Sequence, residues 1–379
     1  MLLPQNEECK EADVSDIFLK DSVPESCYSL SIEELEKRIT KLKRELGEKL
    51  LIVCHHYQRD EVFQFADVSG DSLILSQQAA SHKQAQYIIF CGVHFMAETA
   101  DILTNDSQSV ILPNLTAGCS MADMADLDDV EEAWDSMAAV LGEENMIPIT
   151  YINSDAKLKA FCGEHGGTVC TSSNAPKILS WALDQGKRVF FFPDEHLGRN
   201  TANRLGVPGS EIFLWKRKKP MGGLSDADLK KGKVFLWDGF CSVHMRFKPD
   251  QIQYYRENYP GIKIIVHPEC REDTVNLADD AGSTEYILRT IKNSPPGTKW
   301  AVGTEVNLVN RMNKTLADHD VFCLDPIVCP CSTMFRTHPA NLYWIMEQLV
   351  QNKVHNTIKV PKEVASKAIV ALNRMLELS

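Results

Sequence analysis

The sequence, 379 residues long, contains no uninterrupted stretch of the ~18 apolar residues that a membrane-spanning helix needs, so no membrane span is expected. It lacks a surplus of positive charge: 40 Lys and Arg stand against 52 Asp and Glu, a formal net charge of −12. Non-specific nucleic-acid binding needs a basic face, so nucleic acid is not an expected partner. Small anions remain possible ligands, because helix dipoles can hold them without basic side chains. The opening stretch MLLPQNEECKEADVSD lacks the basic start and apolar middle of a secretory signal, and a cytoplasmic location is expected. In a reducing compartment the twelve cysteines are not a disulfide framework. Most are expected to be small buried hydrophobes, leaving a minority for metal.

Short apolar runs alternate with helical patterns along the chain, the signature of an α/β fold with parallel sheets. Residues 1–30 read as loosely ordered. SIEELEKRITKLKREL (31–46) follows as an amphipathic helix, with Ser31 and Glu34 at capping-box spacing. Three later runs end in chemically capable residues. LLIVCHHYQ ends at His55, His56 and Tyr57, MIPITYINS at Tyr151 and Asn153, and IKIIVHPEC at His267 and Glu269. Each leads through a Gly/Ser/Thr turn into a helix, then a second buried run, then a third that closes on a cysteine: Cys119, Cys241 or Cys331.

The spacing supports a threefold repeat. His55 precedes Cys119 by 64 residues, and His267 precedes Cys331 by the same 64; His55 precedes Ser72 by 17, and His267 precedes Thr284 by 17. The middle unit is longer, 88 residues from Asn153 to Cys241, and its excess is the polar stretch KRKKPMGGLSDADLKKGK, read as a surface excursion. The IVCPCSTM segment carries two cysteines one residue apart, and the repeat selects Cys331 over Cys329. One supersecondary unit used three times is implied. Three αβα units with short parallel sheets are expected around a pseudo-threefold axis, with Cys119, Cys241 and Cys331 converging on it. The expected division is an N-terminal extension and helix over 1–47 and a first unit over 48–120, completed by C-terminal helices within 335–379. A second unit covers 121–242, with an insertion near 203–233, and a third covers 243–334.

Three thiolates from three units suit a [4Fe–4S] cluster with one iron free of protein ligands. A three-cysteine zinc site and three merely buried thiols are the other readings the spacing allows. The helix starts offer free N–H groups and a dipole for phosphate or carboxylate, although Ser, Thr and Asn are also ordinary caps. His244, three residues after Cys241, could reach the surroundings of a bound group. His94, His165, His196, His319 and His355 have no repeat partner and read as structural or solvent-facing.

At these residues the sequence resembles the quinolinate synthase family. The motifs are HHYQ (55–58), GDSL (70–73), GVHFMAETA (92–100), AGCSMAD (117–123), YINS (151–154), CTSSNA (170–175), FPDEHLG (192–198), CSVHMRF (241–247), HPE (267–269), GST (282–284), GTE (303–305) and CSTM (331–334). The resemblance implies a triangular three-domain α/β fold around a [4Fe–4S] cluster on Cys119, Cys241 and Cys331. It implies condensation of iminoaspartate with dihydroxyacetone phosphate to quinolinate, losing phosphate and two waters, in NAD biosynthesis. An enzyme supplying iminoaspartate is a candidate partner. His55, Tyr57, His267 and Glu269 are the expected catalytic residues. His55, Ser72, Tyr151, Asn153, Ser172, Ser173, His244, His267, Glu269, Ser283 and Thr284 are the expected substrate contacts. The open iron would act as a Lewis acid, and Glu269, screened from water, is expected to have a raised pKa. The chain departs from the family pattern in its long 203–233 segment, its N-terminal extension, Met245 where many members have Glu, and the extra Cys329. The rivals are another three-cysteine cluster enzyme, such as the reductase of isoprenoid biosynthesis, and a redox-sensing cluster protein.

Overall fold

A computed structural model describes residues 23–327 and 330–379. Cys329 and the first part of the 1–30 segment lie outside the described residues. The remainder of that segment is packed: Glu25–Tyr28 is a short helix, and Val23 and Cys27 are buried.

Thirteen strands form three wholly parallel sheets among the described residues. The first contains β1 (Leu50–His55), β2 (Val68–Gly70), β3 (Tyr87–Cys91) and β4 (Ser109–Ile111), in the order β2-β1-β3-β4. The second contains β5 (Met146–Tyr151), β6 (Thr168–Cys170), β7 (Arg188–Phe192), β8 (Ile212–Trp215) and β9 (Val234–Trp237), in the order β6-β5-β7-β9-β8. The third contains β10 (Lys263–Val266), β11 (Asp280–Ala281), β12 (Lys299–Gly303) and β13 (Asp320–Cys323), in the order β11-β10-β12-β13. The connectivity is the same in all three, apart from the added edge strand β8.

Buried on both faces, these strands read as continuous apolar runs rather than alternating ones. In β1, Leu50, Ile52 and Cys54 enter one core and Leu51 and Val53 another, so helices cover both sides of the sheet. Ile264 and Val266 divide from Ile265 in the same way in β10. The first and third sheets also share a polar device. The Asp67 carboxylate accepts from the Ile52 N–H (2.8 Å) while the Asp67 N–H donates to the Ile52 carbonyl; Asp279 and Ile264 repeat the pair 212 residues later. Gly70 and Gly282 hold equivalent positions, where a Cβ would lie 2.9 Å from Ile74 and 2.1 Å from Tyr286.

The polar stretch 216–233 of the middle unit runs over the surface, most of its residues exposed. The chain enters it from the edge strand β8 and returns through the helix Asp226–Lys231, and Gly222 closes against the Trp215 ring. One expectation is corrected: the C-terminal helices do not both complete the first unit. Pro339–Val350 packs on Ile32–Leu46 at the first sheet, but Lys362–Leu378 lies on the helix Ala156–Glu164 and β6 of the second. Its Ala371, Leu372 and Met375 fit the apolar surface that the second unit leaves uncovered, which sequence adjacency cannot reveal.

Candidate metal centre and active site

The three cysteines are presented alike. Each is followed, three residues on, by a single 3₁₀ turn: Ala122–Met124, His244–Arg246 and Met334–Arg336. The carbonyl of each accepts the N–H four residues later, at 3.0 Å for Cys119, 3.1 Å for Cys241 and 2.9 Å for Cys331. The turn aims backbone N–H groups back at the sulfur: those of Ala122 and Met121 at Cys119, that of His244 at Cys241, and those of Thr333 and Met334 at Cys331. Burial pushes all three thiols up, Cys119 to about 12; Cys331 raises Cys119 further, and the Glu269 charge, then Cys331 and Cys119, raise Cys241. Binding a cation here must therefore release protons.

The three thiols line one cavity of about 80 Å³ together with His55, Tyr57, Ser72, Tyr151, Asn153, Ser172, His244, His267, Glu269 and Thr284. A second cavity of about 770 Å³ shares Cys119 and Phe95 with it. Ser173 and Ser283 do not line this cavity. Their hydroxyls pair at 2.9 Å, and Ser283 caps its helix by accepting from the Tyr286 N–H. Of the two serines in the middle turn, the structure therefore brings Ser172 to the cavity and leaves Ser173 outside.

Glu269 is the electrostatic centre. Its Oε1 accepts from the Tyr151 hydroxyl (2.6 Å) and its Oε2 from His244 Nδ1 (2.9 Å). Burial alone would raise its pKa. The neighbouring His244 and His267, with the hydrogen bonds from His244 and Tyr151, outweigh burial and bring it down to about 2. The expected raised pKa is thus reversed: sequence could show that Glu269 is screened from water, but not that donors surround it. A carboxylate only accepts, so His244 donates to it through Nδ1. His244 Nε2 lies 3.2 Å from the Thr304 hydroxyl, which in turn lies 2.8 Å from that of Tyr57. Thr284 lies 3.0 Å from the same phenol. Burial, then the Glu269 charge, push both Tyr57 and Tyr151 well above the ordinary phenol value, so both are neutral donors.

Burial brings His55 and His267 down to about 3. In each ring Nδ1 accepts a backbone N–H, from Tyr57 (3.1 Å) and Glu269 (3.3 Å) respectively. The neutral ring then carries its proton on Nε2. The His244 and His267 rings stack at 4.4 Å. Thr304, at the heart of the Tyr57–Glu269 chain, was not singled out by sequence reasoning; its place inside the GTE motif was the available signal. Among the described residues, the one set of three His, Cys, Asp or Glu side chains with ligand atoms all within 4.8 Å is Cys241, His244 and Glu269. That set could hold a metal ion.

Fold and site together define a class: a parallel α/β protein whose three similar sheets deliver thiols, imidazoles and a carboxylate into one buried cavity, a candidate metal-dependent active site. The family profile described as quinolinate synthetase A protein matches residues 37–377, and the chain belongs to this family. It is 52% identical over 356 residues to a quinolinate synthase of Corynebacterium glutamicum, covering 94% of this chain and 90% of that protein. It is 53% identical over 358 residues to one of Anoxybacillus flavithermus (94% and 96% covered). It is 51% identical over 360 residues to one of Geobacillus kaustophilus (95% and 97% covered). No helix among the described residues is long and apolar enough to cross a membrane.

Proposed function

We propose that this chain is a cytoplasmic quinolinate synthase of NAD biosynthesis. It condenses iminoaspartate with dihydroxyacetone phosphate, losing phosphate and water, with a [4Fe–4S] cluster held by Cys119, Cys241 and Cys331. The observation that carries the reading is the convergence of these thiols, each met by backbone N–H groups, on a cavity that also holds an ionised carboxylate and two neutral phenols. One sulfur from each of three units, with no fourth protein thiol called for, suits a polynuclear group with an open iron. When bound, the cluster supplies a Lewis-acid iron with a position free for substrate oxygen or nitrogen.

The remaining chemistry belongs to side chains. Glu269, held ionised, accepts a proton; Tyr151 and His244 keep it oriented. Tyr57 donates through its phenol, which the Thr284 and Thr304 hydroxyls hold in place. The Nε2–H groups of His55 and His267 hydrogen-bond substrate oxygens. Substrate phosphate and carboxylates lie at Ser72 and Thr284, each the first residue of its helix, and at Ser172 in the turn that leads into the helix Ala175–Asp184, where N–H groups and hydroxyls substitute for basic side chains. An enzyme supplying iminoaspartate would act alongside this one.

The test is anaerobic purification followed by iron, sulfide and quinolinate assays on one sample. About four irons and four sulfides per chain are expected, with quinolinate formed from the two substrates. A full cluster without turnover would remove the activity and keep the centre. One metal per chain without sulfide would favour a single ion on Cys241, His244 and Glu269.

A further inference from the structure

In each unit, the helix after the third strand (β3, β7 or β12) begins at an equivalent N-cap: Val93, Asp194 and Glu305. Glu is a poor choice for this position. Ser, Thr, Asp and Asn cap well because their short side chains fold back onto the N2 and N3 amides. Glu305 nevertheless does this, its Oε2 accepting from the N–H groups of Asn307 (2.7 Å) and Leu308 (3.4 Å). The extra methylene leaves Oε1 free to reach further, and it accepts from the Cys331 backbone N–H (3.2 Å) and from Asn307 Nδ2 (2.9 Å). Glu305 is fully buried.

The middle unit supplies the contrast. Asp194 caps its helix through the Leu197 N–H (2.6 Å), but its Oδ2 is buried with no hydrogen-bond partner. The Cys241 N–H faces that carboxyl without completing the bond. A side chain one carbon shorter caps the helix and does not tie the cysteine. The helix that Glu305 opens, Val306–Thr315, also grips the loop carrying Tyr57. Asn307 Nδ2 donates to the Tyr57 carbonyl (3.4 Å), and Arg311 donates to the carbonyls of His56 and Gln58 and to Asp60.

We propose that Glu305 is a positioning residue, which fixes the Cys331 segment relative to Tyr57 by joining both to one helix. Its meaning for catalysis rests on the proposed function; its geometry does not, and the test is built on that difference. Glu305→Asp keeps a good cap and loses the reach to Cys331. The full-length variant and the parent would be treated with iodoacetamide, as isolated anaerobically and again after chelation. Alkylation would be read at each cysteine by mass spectrometry, and fold by circular dichroism.

In the metal-free chain, Cys331 alkylation should rise about fivefold, the change expected when one ordinary hydrogen bond worth about 1 kcal/mol is lost. Cys119 and Cys241 should change less than twofold. Unchanged Cys331, or an equal rise at all three, would overturn the proposal. If Glu305→Asp does not fold, Glu305→Gln is read in the same way. It keeps the length, but one of its two ends becomes a donor facing N–H groups. Loss of the fold in both variants would also overturn the proposal, making Glu305 a folding residue. Because alkylation needs neither cluster nor turnover, a failure of the proposed function leaves this outcome readable.

Discussion

At the end of β1, the His55 ring accepts the backbone N–H of the residue two positions on; at the end of β10, His267 does the same. The Asp67 and Asp279 clasps repeat behind them. Yet the residue so presented is Tyr57 in one unit and Glu269 in the other, a phenol that burial keeps neutral and a carboxylate that its donors keep ionised. One backbone arrangement can thus be reused while the side chain it presents is exchanged, so that donor and acceptor meet across a single cavity.

The strongest way to break this symmetry is at the cysteines. Changing Cys119, Cys241 or Cys331 to Ser should abolish metal incorporation in each case, measured as iron and sulfide per chain. Retention of a full complement in any one would show that its unit is not equivalent to the others.

Next come the two strand-end residues. Glu269→Gln removes the acceptor and keeps the shape; Tyr57→Phe removes the donor. Each should lower kcat by about 10²–10⁴, the usual worth of a general acid or base, with metal content unchanged. Normal kcat in either variant would leave the repeat intact as architecture and deny that residue its chemistry.

The paired histidines give a pH test. In the unfolded chain each imidazole takes up a proton below about 6.5, but the folded rings resist until about 3. The unfolded state therefore binds more protons between these values, and stability falls as pH falls. Each ring contributes up to about 1.4 kcal/mol per pH unit across that window. Urea unfolding of the metal-free chain from pH 7 to 4 should show the slope, and His55→Gln and His267→Gln should each remove an equal part. Unequal parts would show that the two ring sites differ electrostatically despite their shared backbone.

The smallest effect separates the helix starts. Ser72→Ala should raise KM for the phosphate substrate about tenfold, the cost of one lost hydrogen bond to a charged group. Ser173→Ala, outside the cavity, should leave it within twofold. Equal effects would mean that the cavity does not mark the phosphate site.

The repeat itself was legible because apolar runs and polar strand ends recur at fixed intervals, and parallel strands bring such ends to one side of a sheet. The sequence by itself therefore determined the α/β class, the three units and the residues worth asking about. It could not determine which of Ser172 and Ser173 turns inward, since adjacent residues at a helix start point in different directions. Nor could it assign the last helix to the second sheet, because that choice depends on which apolar surface remains uncovered after folding. The ionised state of Glu269 was decided only by tertiary structure as well. A buried carboxyl is raised by desolvation and lowered by its donors, and those donors, Tyr151 and His244, come from separate segments that meet only in the folded chain.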